Sequence, residues 1–161
     1  MPYATVTLTE FLEESRTSIV DAAAERLNDS HLERYELIGE HETRLRLSLL
    51  YTRLLAALRN RELKGMVEYA SELGRARFAS GYGLDAVQSA FNALEEATWL
   101  KIVTELPADR HSHALSVVST VFGAGKDALG RAYTAAAAAR GRGPVNVEAL
   151  FAGSETTLSL N

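Results

Sequence analysis

The sequence predicts an all-α protein, a bundle of five to six helices with a C-terminal extension, and three observations carry that expectation. Only three prolines interrupt 161 residues, and proline is the residue that most firmly stops a helix. Alanine and leucine are abundant while β-branched runs are few, a bias toward helices and away from strands. Apolar residues recur three and four apart through one segment after another up to residue 139, the spacing of a helix with one buried face.

Taken in order, residues 1–6 read as a loose arm. Thr7 and Glu10 have the spacing of a capping box, in which hydroxyl and carboxylate each satisfy an orphan backbone N–H. The helix they open, over about 8–27, carries Leu8, Phe11, Leu12, Ser15, Ile19, Ala22, Ala23 and Leu27 on one side. Asn28-Asp29-Ser30 ends it. Ser30 with Glu33 forms a second capping box, for a short helix holding Leu32, Tyr35 and Ile38. Gly39 then interrupts. The next helix, about 40–59, buries Leu47, Leu50, Tyr51, Leu54, Leu55 and Leu58, and pairs Glu40 with Arg44 and Glu42 with Arg46 at i,i+4. Arg44, Arg46, Arg53 and Arg59 are interleaved with acids, which reads as a solvated surface rather than a phosphate-binding face.

Residues 62–106 read as two antiparallel helices joined at Ser80-Gly81-Tyr82-Gly83, with Gly81 a structural residue of the turn. On the first, about 62–79, Leu63, Met66, Val67, Ala70 and Leu73 form a stripe, Gly74 lies beside it and Arg77 continues the row. A mid-helix glycine costs about 1 kcal/mol relative to alanine, so Gly74 predicts close approach of another backbone. Arg77 on a core-directed row needs a partner if buried. Glu95 and Glu96 are the candidates across the hairpin, and the alternative is that Arg77 snorkels to water over its aliphatic stem.

The second helix of the pair places Leu84, Ala86, Val87, Ala90, Phe91, Ala93, Leu94 and Ala97 on one half of the wheel. Asp85, Gln88, Ser89, Asn92, Glu95 and Glu96 take the other half. Trp99 and Val103 break the pattern by pointing to the side of Asn92 and Glu96. Large apolar side chains on a polar face imply a further partner, another helix or another copy of the chain. Trp99, Val103 and Glu96 are therefore the expected interface of a homodimer.

Pro107 suits the first turn of a last helix, about 108–139. Its buried row is Leu115, Val118, Val121, Phe122, Gly125, Ala128, Leu129 and Ala132. Gly123, Gly125 and Ala128 predict a second close helix contact. Ala135 to Ala139 have little apolar bulk and are expected to project from the body. Arg140-Gly141-Arg142-Gly143-Pro144 ends the helix, so residues 1–140 read as one helical regulatory domain and 141–161 as a linker with a short apolar tail. In that tail Val145, Val147, Leu150 and Phe151 form a cluster, and Leu150 and Phe151 are expected to dock, onto the bundle, the other subunit or a separate partner.

Composition removes several classes of function. The net charge of −4 gives no reason to expect a nucleic-acid partner. No cysteine is present, which excludes disulfides, thiolate metal sites and cysteine nucleophiles. Neither a leader-like N-terminus nor an apolar run of membrane-spanning length is visible, so the expectation is a cytoplasmic protein with no membrane partner.

Specific chemical motifs fail on inspection. Gly123-Ala124-Gly125-Lys126 looks like a phosphate-binding loop, but Thr120 stands where that motif needs glycine and Asp127 where it needs Ser or Thr. His111 and His113 diverge by about 200° on a helix, and there is no His-Glu-x-x-His or paired Glu-x-x-His. Glu95 and Glu96 point about 100° apart. No nucleophile triad is visible. The expectation is no enzyme, no metal and no cofactor, with a globin-like haem or small-ligand carrier as the alternative.

Leu32-Glu33-Arg34-Tyr35, Gly81-Tyr82-Gly83-Leu84-Asp85-Ala86-Val87 and Phe91-Asn92-Ala93-Leu94-Glu95-Glu96-Ala97-x-Trp99 together resemble the N-terminal helical domain of RsbT co-antagonist (RsbR/RsbRD-type) regulators, in the form found ahead of helix-turn-helix regulators in actinobacteria. The resemblance spans roughly residues 12–135. It implies an all-α, often globin-like sensory or dimerisation module without haem, fused to an output domain and acting on a regulatory protein partner in stress signalling. This chain carries no STAS, kinase or DNA-binding segment, so a fragment of a longer regulator is a further expectation.

Overall fold

The computed structural model describes the backbone of residues 6–30 and 33–141, and the side chains of 6–30 and 38–141. Among the described residues there are helices and no strands. The protein is an all-α bundle. Its helices are α1 (Leu8–Glu14), α2 (Arg16–Asp29), α3 (Glu33–Asn60), α4 (Lys64–Ala79), α5 (Leu84–Glu105) and α6 (His111–Gly141), with a single 3₁₀ turn at Ala108–Arg110 before α6. The expectations for the Ser30–Glu33 box, Leu32, Tyr35 and the tail bearing Leu150 and Phe151 rest on side chains outside the described residues.

Packing runs α3 to α2, α2 to α5, α5 to α6 and α6 to α4, and α4 closes the ring back onto α3. The two helices of the expected hairpin thus touch each other little. α4 buries its main face against α6 instead, and α5 packs on both α2 and α6. Small residues explain the choice. A Cβ at Gly74 would stand 2.8 Å from the Cβ of Ala132 and 3.3 Å from the Leu129 carbonyl oxygen. One at Gly125 would stand 2.9 Å from the Phe91 ring and 3.0 Å from Met66 Sδ. These two glycines let α4, α5 and α6 approach to contact, and Met66, Ala70 and Gly74 form the buried stripe of α4. Leu63 and Val67, expected on that stripe, are exposed. At Gly123 no side chain or backbone would meet a Cβ, so the close contact expected there belongs to Gly125 and Ala128 alone.

The first helix differs from expectation in being two. The capping box at Thr7 and Glu10 forms, at 3.2 and 3.0 Å, but the chain bends at Ser15, whose φ and ψ are −89° and 0°. A straight helix would give the Leu12 carbonyl to the amide of Arg16. Here it accepts the hydroxyl of Tyr51 at 2.5 Å, in the fully buried layer around Phe11, Leu12 and Tyr51. Arg16 bridges the bend to α3, donating to the Ser48 carbonyl and Thr52 Oγ1 at 3.1 Å. Within α3, Gly39 has φ 80° and ψ 163°, so the helix divides there into two segments. Only glycine takes that conformation cheaply.

Two helix ends share one device. After α4, Tyr82 N–H donates to the Arg77 carbonyl at 2.9 Å and Gly81 N–H to that of Phe78 at 3.1 Å. Gly81 sits at φ 80°. This is the Schellman pattern, with glycine at its left-handed position. After α3, Glu62 N–H donates to the Ala57 carbonyl at 3.2 Å, and Arg61 holds the left-handed position at φ 50°.

Candidate interaction face and arginine-lined cavity

The surface of α5 is the first candidate. Trp99, Leu100 and Val103 are 39 %, 54 % and 44 % exposed, a cluster of three large apolar side chains within five residues. Glu96, one turn before them, is exposed and lies 3.7 Å from Arg26 of α2. It therefore ties α5 to α2, and Arg77 is not its partner.

Glu95 departs from the sequence reading. Expected on the polar half of the wheel, it is buried, because α6 covers that side of α5. Its Oε2 is 3.3 Å from Lys126 Nζ, which also donates to Asn92 Oδ1 at 3.2 Å. The buried Oε2 makes no hydrogen bond of good geometry, so the pair is held by charge at short range.

The second candidate is a small cavity of about 40 Å³ where α2, α3, α4 and α5 meet the loop after α4. Leu27, Leu47, Leu50, Leu73, Val87 and Phe91 form its apolar wall, and Thr43, Arg46, Tyr69, Arg77 and Tyr82 its polar side. The end of α4 and the break at Gly39 place three of the polar residues, Arg77, Tyr82 and Thr43. The Schellman turn at Gly81 folds the Tyr82 ring back to 5.5 Å from the Arg77 guanidinium. From α3, Arg46 lies 5.9 Å from the same ring and donates to the Tyr82 hydroxyl at 3.2 Å. Tyr133 fixes the loop from behind by donating to the Tyr82 carbonyl at 2.9 Å. Thr43 is spent on the Gly39 carbonyl at 2.9 Å.

Charge around this cavity is unbalanced. Arg46 pairs with Glu42 at 3.2 Å. Burial opposes its charge, but the bonds to Tyr82 and Glu42 outweigh burial and hold its pKa above the ordinary value. Arg77, half-buried, has no carboxylate within 4 Å among the described residues. Arg53, at 5.3 Å from the Tyr69 ring, likewise has none. Burial pushes the Tyr69 hydroxyl pKa up, while Arg77, Arg53 and Arg46 pull it back. Three guanidinium groups thus act on one phenol.

The remaining site residues scatter. His111 donates Nε2–H to the Leu106 carbonyl at 2.7 Å, bracing the α5–α6 corner. No group of three or more His, Asp or Glu side chains among the described residues could hold a metal, and none of the residues lining the cavity is histidine. No described helix is long and apolar enough to cross a membrane. The sequence did offer a signal for the cavity, since Arg77 stands on a core-directed row, but Arg46 and Tyr69 belong to patterns that also fit an ordinary surface. No family model matches the chain, and no curated protein or solved structure matches it either.

Proposed function

We propose that the protein is a non-enzymatic regulatory module that acts through protein contacts and pairs with a second copy of itself through α5. The observation that carries the reading is the exposed cluster of Trp99, Leu100 and Val103. Asn92, Glu96, Trp99 and Val103 follow one another at i, i+4, i+7 and i+11, the seam spacing of paired helices. A two-fold axis near Trp99 sets this apolar centre against its own copy, with the polar residues toward the rim. The likeness of residues 12–135 to the N-terminal domains of RsbT co-antagonist regulators supports the same reading and implies a further regulatory protein as partner.

Light scattering across a concentration series tests it, and Trp99, the single tryptophan, gives a second readout through its own fluorescence. A dimer mass with a blue-shifted emission that returns to a monomer-like value on dilution is the expected result. A monomer at tens of micromolar with water-exposed emission throughout would overturn it.

A further inference from the structure

We propose that the cavity headed by Arg77 is a binding site for a short aliphatic monocarboxylate, of the size of acetate to butyrate. This goes beyond the regulatory reading and stands whether or not α5 pairs with a second copy.

The head of the site is positive against the trend of the chain. The whole protein is net negative at −4, yet Arg46 and Arg77 line this cavity, Arg53 stands beyond the Tyr69 ring, and Glu42 is the one carboxylate paired to them among the described residues. The Arg77 guanidinium meets the uncharged Tyr82 ring in a cation–π contact, 5.5 Å from its centroid. That contact supplies no anion to its N–H groups. Those groups form a fork that matches the two oxygens of a carboxylate. Tyr69 adds a hydroxyl that makes no hydrogen bond to a described residue, in a side chain that lines the same cavity.

Wall and volume decide which anion. Leu27, Leu47, Leu50, Leu73, Val87 and Phe91 offer an inorganic oxyanion nothing but desolvation, whereas they bury an alkyl group favourably. A cavity of about 40 Å³ is small enough to admit only a short chain. With the carboxylate at the arginine side, that leaves space for a few carbons at most.

Methyl-resolved NMR of the full chain tests the proposal, with sodium propionate as the probe and sodium chloride, sodium sulfate and 1-propanol as comparators at matched ionic strength. Propionate is expected to give saturable shifts concentrated in the methyls of Leu47, Leu73 and Val87, with cross-relaxation from its own methyl to theirs. Arg77→Gln should weaken binding by about tenfold or more, and Arg77→Lys by less, because the charge remains while the fork is lost. Tyr69→Phe gives an independent weakening should Arg77→Gln fail to fold. Equal shifts with chloride mean screening alone, tighter binding of sulfate means an oxyanion site, and equal binding of propanol means an apolar void; each overturns the proposal.

Discussion

Tyr82 lies over Arg77, ring to guanidinium at 5.5 Å, and the same two residues share a backbone hydrogen bond of 2.9 Å from the Tyr82 amide to the Arg77 carbonyl. A Schellman turn usually closes with an apolar contact between these two positions. Here an aromatic ring on a cation takes its place, so the turn that ends α4 also orients the arginine of the cavity. The hinge of both is Gly81 at φ 80°.

Gly81→Ala should therefore cost about 1 kcal/mol or somewhat more, the strain of a side chain in the left-handed region. Chemical denaturation measures it. The change should also alter the Tyr69 and Tyr82 ring resonances, whereas Gly65→Ala, at a helical glycine whose added Cβ meets nothing within 4 Å, should leave them in place.

Arg61 occupies the equivalent position after α3 with φ 50°, without being glycine. Arg61→Gly relieves that strain and should stabilise the protein by about 0.5–1 kcal/mol. An unchanged or lowered denaturation midpoint would show that the Arg61 side chain holds the corner between α3 and α4 by its own contacts.

Overpacking tests the ring of helices. Gly125→Leu adds a side chain where even a Cβ falls 2.9 Å from the Phe91 ring, so a loss of about 1–3 kcal/mol is expected. Gly74→Ala meets the Ala132 Cβ and the Leu129 backbone, which yield less readily than a flexible side chain, and it too should destabilise. Gly123→Ala, at an exposed position with open space, should instead raise the melting temperature.

At the bend before α2, the Tyr51 hydroxyl donates to the Leu12 carbonyl at 2.5 Å in the core. Tyr51→Phe leaves that buried carbonyl without its partner and should cost about 1–3 kcal/mol. Burial pushes the Tyr51 hydroxyl pKa far above its ordinary value of 10, and Arg16 offsets this only in part. Tyr69 and Tyr133 are raised as well, with burial the leading cause in both. An acid whose folded pKa is raised binds its proton more tightly when native, so its contribution is complete below pH 10 and is lost as pH climbs beyond it. Stability should accordingly fall above pH 10, less steeply in Tyr51→Phe than in the parent when measured by denaturation at fixed pH values.

The sequence made the helices legible, and with them Gly74, Gly125 and the break at Gly39, because those features are local or leave a gap in a periodic stripe. It did not reveal which helices pack together. Residues 62–79 and 84–106 look like a hairpin, since a short loop joins them, but the choice of neighbour belongs to α6, which is remote in sequence. The same blindness put Glu95 on a solvated face. On one helix it is polar among polar residues, and only the arrival of Lys126 turns its surroundings into an interior. Arg77 was visible as an anomaly, while the carboxylates assigned to it sit elsewhere, Glu96 beside Arg26 and Glu95 beside Lys126. Nothing in a linear pattern says that Tyr82 would be folded back to meet it.

The ring also sets the order in which the protein can be made. Helix α6 supplies the wall for both α4 and α5, yet it starts at His111 and is synthesised after both. At a synthesis rate of about 5–20 residues per second, α4 and α5 wait several seconds on the ribosome with Met66, Ala70 and Phe91 lacking the partner that covers them. Folding is thus completed only once Leu129 and Ala132, near the far end of α6, have cleared the exit tunnel.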